Sequence, residues 1–265
     1  RILGLGAFTS VVGDGGINVA QNLNIPVTTG DSLTIAMAVR AIREAAQIME
    51  ISMETAKVAI IGATGAIGSV CAEMLAPEVG QLLLIGLRQD KLNQVAANAR
   101  DHGCQDIIVS SDMSQLNQAH LIITVTSAVE TIIEARHLRE GAIICDVARP
   151  RDISRQVAEQ RPDILVIEGG MVQVPGPVNF GFDFGFPPKM AYACMAETMA
   201  LALDQKYESY TLGKDIKLSQ VVTIDKIAEK HGFKLGGFRS FERAITDQEI
   251  AHIKACSQPN RVNNI

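Results

Sequence analysis

Apolar residues in this chain gather in short unbroken runs. From position 57 onward they recur at 58–61, 82–87, 107–110, 121–126, 142–147 and 164–167, rich in Val, Ile and Leu. Strands of a parallel sheet covered on both faces carry that signature, because neither face meets water. Helical patterns separate most of them, at 69–75, 90–101, 131–138 and 153–160, while the connection before 121 has room only for a partial turn. The rhythm predicts an α/β fold: a doubly wound parallel Rossmann sheet of six strands, with its crevice above the first and fourth.

The flanks follow other patterns. Residues 1–30 are glycine-rich and read as short strands joined by turns. Asp31 or Ser32 is a candidate N-cap for a largely apolar, buried helix reaching about Met49. After Gly169-Gly170 comes MVQVPGPVNFGFDFGFPP (171–188), loop-like in composition. Pro187-Pro188 then suits the start of a helix over 189–207. Further helices are expected over 218–231 and 247–256. The predicted organisation is a Rossmann domain over 56–177 and a second, discontinuous lobe from 1–55 and 178–265.

The stretch that carries chemistry is KVAIIGATGAIG (57–68). A buried strand runs into glycines at Gly62, Gly65 and Gly68 and then into a helix. Such a turn, here with Ala63, Thr64, Ala66 and Ile67 between its glycines, lets backbone approach a pyrophosphate at a helix N-terminus. The spacing G-x-x-G-x-x-G is a weak signal by itself; the strand–turn–helix context strengthens it. The residue ending the next strand faces the adenosine ribose in this fold. Here it is Arg88, with no acid before Asp90, which points to a 2′-phosphate and hence to NADPH. The other reading of Arg88 is a solvated loop arginine. Thr126 and Ser127, closing the fourth strand, and residues 146–150, closing the fifth, either position the nicotinamide or substrate or serve only as turn and cap residues.

Composition narrows the classes. The chain has 265 residues, 47% hydrophobic and 20% charged, with a net charge of −5. No basic field or Lys/Arg cluster offers a nucleic-acid surface, and no apolar run approaches a membrane span. Five scattered cysteines without a CxxC fit a reduced, cytoplasmic protein, and the histidines form no metal constellation. The chain opens at Arg1 with neither Met nor a leader pattern, so an upstream segment is expected. Oligomeric state is left open, a homo-oligomer included. Among the cysteines, Cys71 follows the glycine turn on a packed helix face and Cys145 lies in a buried strand. Cys104 and Cys256 lack suitable neighbours. Cys194 sits in AYACMAETM; by spacing alone it reads first as a small core residue.

GAFTS (6–10), TTGDSLT (28–34), the glycine turn, the 168–170 region, AYACMAETM (191–199) and His231-Gly-Phe together resemble the cyanobacterial long-chain acyl-[acyl-carrier-protein] reductases, across about residues 4–233. The resemblance implies NADPH-dependent reduction of an acyl thioester, on acyl carrier protein or CoA, to a fatty aldehyde. It makes Cys194 the nucleophile that forms an acyl-enzyme. The family's N-terminal region is absent, the Phe/Gly loop (Phe180, Phe182, Phe184, Phe186) is shorter, and the segment past Gly236 does not match. Two related groups share the layout. Shikimate-type dehydrogenases place a catalytic lysine before the nucleotide domain, and glutamyl-tRNA reductases a cysteine; this chain has no lysine before Lys57 and no cysteine before Cys71. Shikimate-like or other carbonyl dehydrogenase activity without a covalent intermediate is the alternative enzyme reading. A non-catalytic NADP(H)-binding protein is the alternative class. Tyr192 and Glu197 flank Cys194 and are candidate proton carriers; for Glu197, three residues on and so on the same helix face, solvation of the helix is the expected role.

Overall fold

The structure, a computed structural model, describes residues 1–6, 13–181 and 185–257. It divides into two compact units. One comprises Arg1–Arg40 and Gly169–Gly237; the other comprises Ala41–Glu168 and the chain from Phe238 onward. The sequence expectation set the inner boundaries near 55 and 177. The contacts set them inside a helix and at the end of the sixth sheet strand.

The chain opens with β1 (Leu3–Gly4), a short helix α1 (Ile17–Gln21) and β2 (Val27–Thr28), which pairs parallel with β1. Helix α2 (Asp31–Ile48) follows. Leu33, Ile35, Met37, Val39 and Ile42 are wholly buried, matching its apolar composition.

The sheet unit then runs β3 (Lys57–Ile61), α3 (Ala66–Leu75), β4 (Gln81–Ile85), α4 (Gln89–Asp101), β5 (Ile107–Ser110), β6 (Leu121–Thr124), β7 (Ile143–Asp146), α5 (Arg155–Gln160) and β8 (Leu165–Glu168). All six strands are parallel, in the order β5-β4-β3-β6-β7-β8. This is the doubly wound Rossmann arrangement, with strand order reversing between β3 and β6. Val58 pairs with Leu82 on one side and Leu121 on the other. Residues 58–61, 82–85 and 121–124 are buried throughout, which is why these strands needed continuous apolar runs.

One expected crossover helix is absent. Residues 131–138 form no α-helix: Ile133 makes a parallel bridge with Ile153, and only a 3-10 turn at Ala135–His137 follows. The β-branched Thr131-Ile132-Ile133 favours the extended form, and Ile133 and Ile153 both enter the sheet's core. The helix expected over 153–160 starts only at Arg155, where the Ser154 hydroxyl accepts the Val157 N–H at 3.3 Å. The helix after the glycine turn starts three residues earlier than expected, at Ala66.

The first unit resumes with β9 (Met171–Gln173), β10 (Met190–Tyr192), α6 (Ala193–Leu203), α7 (Leu218–Lys230) and β11 (Lys234–Leu235). The expected single helix over 189–207 is a strand followed by a helix. Met190, Ala191 and Tyr192 pair antiparallel with Gln173, Val172 and Met171, and α6 begins only at Ala193. The sheet unit is completed by a hairpin of β12 (Arg239–Ser240) and β13 (Arg243–Ala244), and by α8 (Asp247–Cys256). Phe182 and Phe184 of the phenylalanine-rich loop lie outside the described residues. Phe186 packs edge-on against Tyr192, ring centroids 4.5 Å apart.

Candidate functional site

In the sheet unit the chemistry is organised by the turn between β3 and α3. Gly62 closes the strand at φ 81°, and its N–H and that of Ala63 both donate to the Ile85 carbonyl, at 3.0 and 3.2 Å. A Cβ on Gly68 would stand 2.5 Å from the Gly62 carbonyl oxygen, so only glycine lets α3 sit this close to the strand. Among the described residues no side chain caps α3. Its first N–H groups and the positive end of its dipole therefore face the crevice ready for an anion. Gly62, Ala63, Thr64, Gly65, Ala66, Ile67 and Gly68 thus form one backbone cradle that suits a dinucleotide pyrophosphate.

Beyond β4, Leu87 is 93% exposed and Arg88 is exposed beside it. Among the described residues Arg88 pairs with no carboxylate, so its guanidinium is available to a ligand. In this fold the end of this strand faces the adenosine of a bound dinucleotide.

The loops after β6 and β7 are locked to each other. Asp152 is buried and accepts from the Thr124 and Thr126 hydroxyls and from the Thr126 N–H at 3.2 Å. Thr126 Oγ1 also accepts the Ala128 N–H at 3.2 Å. Its polar groups are therefore engaged in shaping the loop, whereas Ser127 is exposed at the loop's edge. Asp146, at the end of β7, accepts N–H groups from Ala148, Asp152 and Ile153 at 3.0–3.2 Å. Burial pushes its carboxyl up to about 7.

The first unit holds a second constellation, around Cys194. Because α6 starts at Ala193, whose N–H donates to the Gly170 carbonyl at 2.7 Å, Cys194 lies in the first helical turn, half-buried. Thiolates are favoured at such a position. The TTG segment packs directly on it. A Cβ on Gly30, at φ 81°, would come within 2.2 Å of Cys194 Cα, so the backbones touch. Gly6, the first residue of GAFTS, lies on the sulfur side: a Cβ there would be 3.9 Å from Sγ. The remainder of that motif lies outside the described residues.

Glu197 corrects an expectation. It is fully buried, not solvating the helix. Its Oε1 accepts the Thr28 and Thr211 hydroxyls, the latter at 2.8 Å, and its Oε2 accepts the Leu33 N–H at 2.8 Å. Burial pushes its carboxyl up. Asp31, next to Gly30, is pushed up to about 7, by burial first and then by the Glu197 charge. Tyr192, at the end of β10, packs on Phe186, and His231 meets Asp204 at 3.0 Å. The network role of Thr28, Thr211 and Glu197 escaped the sequence reading. The only available signal was that TTG and the glutamate both belong to the resembling motifs.

The other cysteines differ. Cys71 is wholly buried, its thiol pushed up to about 12; burial also raises Cys145 and Cys104. Cys256 lies on α8 with its sulfur 3.7 Å from His252 Nε2.

Comparison with known proteins bears on the sheet unit first. Residues 43–167 match the shikimate / quinate 5-dehydrogenase family. The sheet unit is a shikimate-dehydrogenase-like Rossmann domain. That is a domain type of nicotinamide-dependent oxidoreductases. Over nearly its whole length the chain also resembles two proteins. It is 30% identical over 257 residues to the aminotransferase PigE of Serratia sp., covering 96% of this chain but only 30% of that protein. It is 25% identical over 248 residues to the long-chain acyl-[acyl-carrier-protein] reductase of Synechococcus elongatus, covering 88% of this chain and 71% of the reductase. Among solved structures, a dipicolinate synthase chain from Bacillus halodurans overlaps with a TM-score of 0.44 at 20% identity, over 52% of this chain and 46% of that one. Glutamyl-tRNA reductase from Methanopyrus kandleri overlaps with a TM-score of 0.40 at 22% identity, over 49% and 34%. No helix among the described residues is long and apolar enough to cross a membrane.

Proposed function

We propose that the chain reduces an acyl thioester, carried on acyl carrier protein or CoA, to an aldehyde with NADPH, through an acyl-enzyme on Cys194. The observation that carries this reading is the position of Cys194: first turn of a helix, half-buried, and walled by the TTG segment and Gly6. The reductase of Synechococcus elongatus, similar over 88% of this chain, supports the reaction class.

In the first step the Cys194 thiolate attacks the acyl carbon. A carbon–sulfur bond forms to Sγ, the bond to the carrier's sulfur breaks, and the carrier leaves as a thiol after taking a proton. A bound NADPH would supply hydride to that carbon; Cys194 Sγ, as the leaving group, would be returned as the thiolate when the aldehyde departs. Dividing one difficult substitution into two is the advantage of a covalent intermediate. The Gly62–Gly68 cradle would hold the pyrophosphate, and Arg88 the 2′-phosphate that distinguishes NADPH from NADH.

The deciding experiment incubates the chain with acyl-CoA before any cofactor. The expected result is release of one thiol per chain and an acyl adduct that maps to Cys194 by mass spectrometry. Adduct-free protein together with full reductase activity in Cys194→Ser would overturn the covalent mechanism. Preference for NADH, unchanged in Arg88→Ala, would overturn the cofactor assignment.

A further inference from the structure

The sheet unit carries a cleft of about 430 Å³ whose walls include Val129, Thr131, Arg149, Arg151, Arg155 and Phe241; among the described residues no carboxylate lines it. The loops after β6 and β7 supply most of it, and the β12–β13 hairpin supplies Phe241. The guanidiniums are arranged around that ring: Arg155 Cζ stands 5.1 Å and Arg151 Cζ 5.6 Å from its centroid. Arg155 Nη2 also donates to the Phe241 carbonyl at 3.2 Å. Arg151 Nη2 is tied to Glu168 at 2.6 Å and to Glu242 at 3.3 Å, while its shielded Nε donates to nothing among the described residues. Glu168 is shared in turn with Arg239, 3.9 Å away. With five N–H donors on each guanidinium, Arg151 and Arg155 keep donors beyond those their protein partners accept.

The hairpin is held in an unusual shape. Phe241 and Glu242, its two central residues, have φ 48° and 70°, where asparagine and glycine are the ordinary choices. A phenylalanine and a glutamate persist there because the surroundings fix them. Glu168 accepts the Glu242 N–H at 2.8 Å, Arg239 donates to the Glu242 carbonyl, and two guanidiniums cover the ring. Backbone held in a sparsely populated region by convergent contacts is a mark of ligand clamps. Here its effect is to orient Arg151 and Arg155.

The location separates this cleft from the cofactor's phosphates. The pyrophosphate cradle follows β3 and Arg88 follows β4. The cleft follows β6 and β7, on the other side of the point where strand order reverses. We propose that the cleft binds the phosphate of a second ligand, held by Arg151 and Arg155 with hydroxyl donors from Thr131 and Ser154. Ser154 Oγ accepts the Val157 N–H and so keeps its own proton to donate. Resting on the thioester reading, the phosphate is that of the pantetheine arm, which CoA and acyl carrier protein share.

The test is titration calorimetry of the whole chain with pantetheine, its 4′-phosphate, CoA, and carrier protein with and without the arm. The phosphate form should bind about 10- to 100-fold tighter than pantetheine, the range of a charge-assisted contact. Arg155→Ala, at an exposed position, should remove that discrimination, Arg155→Lys should restore part of it, and NADPH affinity should stay unchanged in both. Equal binding of pantetheine and its phosphate would overturn the proposal. So would a parallel loss of NADPH binding in Arg155→Ala, or armless carrier protein binding as tightly as the armed form. CoA and armed carrier protein, compared in wild type and Arg155→Ala, show which source of the phosphate the cleft takes. Phosphate discrimination without thioester reduction would sink the reduction chemistry and leave the cleft standing; reduction without discrimination would sink the cleft alone.

Discussion

Replacing Glu197 with alanine tests the interior network most directly. The carboxylate accepts three donors in a site closed to water: the Thr28 hydroxyl, the Thr211 hydroxyl at 2.8 Å and the Leu33 N–H at 2.8 Å. Not all three are stranded by its removal. The Thr211 hydroxyl stands 2.8 Å from Ser32 Oγ and can turn to it. Among the described residues no such alternative partner is seen for the Leu33 N–H or the Thr28 hydroxyl proton. Two stranded buried donors cost about 1–3 kcal/mol each, and the lost side-chain volume adds to that. A total of about 3–6 kcal/mol is a large share of the stability of an ordinary domain. At about 2–4 °C per kcal/mol for a domain of this size, the Tm should fall by roughly 10 °C. Hydrogen exchange at the start of α2 should quicken at the same time. Glu197→Gln keeps the shape and an acceptor for Leu33, so its Tm should fall much less. Differential scanning calorimetry with peptide-level exchange reads both quantities. A Glu197→Ala protein melting within about 2 °C of the native chain would refute the network.

Other perturbations follow from the same geometry. Asp31 and Asp146 are pushed up to about 7 by burial, so the folded chain keeps protons that the unfolded chain gives up near pH 4. Stability against urea should therefore fall between pH 5 and pH 8, and Asp31→Asn should flatten part of that slope; a rise over this range would contradict the assignment. Gly30→Ala should abolish thiol release from acyl-CoA, because its Cβ collides with Cys194 Cα at a φ disfavoured for alanine; full release would disprove the close contact. Brief alkylation of the native chain should label Cys194 and leave Cys71, Cys104 and Cys145 unmodified until the protein is denatured, as peptide mapping would show.

The sheet was legible because parallel strands covered on both faces require unbroken apolar runs, and these set six strands at nearly the right bounds. The glycine turn was legible through its sequence context. The 131–138 segment was misread because a helical spacing of apolar residues also fits an extended stretch whose Ile133 bridges to Ile153. Pro187-Pro188 suggested a helix start, but the pairing of Met190–Tyr192 with a strand seventeen residues earlier decided otherwise. No local pattern encodes that register, and it is what sets Cys194 in a first turn. Glu197 was misread for a similar reason. A carboxylate reads as surface unless its partners are seen, and Thr28 and Thr211 lie 169 and 14 residues away.

The bonds around Glu197 also constrain the order in which the chain can be completed. Its partners at Thr28 and Leu33 are translated long before it, with the whole Ala41–Glu168 part of the sheet unit in between. Closing so long an interval carries an entropic cost that grows only with the logarithm of its length. During synthesis the delay itself is the burden. Until α6 emerges, the apolar flank of α2, with Leu33, Ile35 and Met37, is without the helix that ties down its first turn. Assembly of the constellation around Cys194 is thus a late event, gated by the last third of the chain.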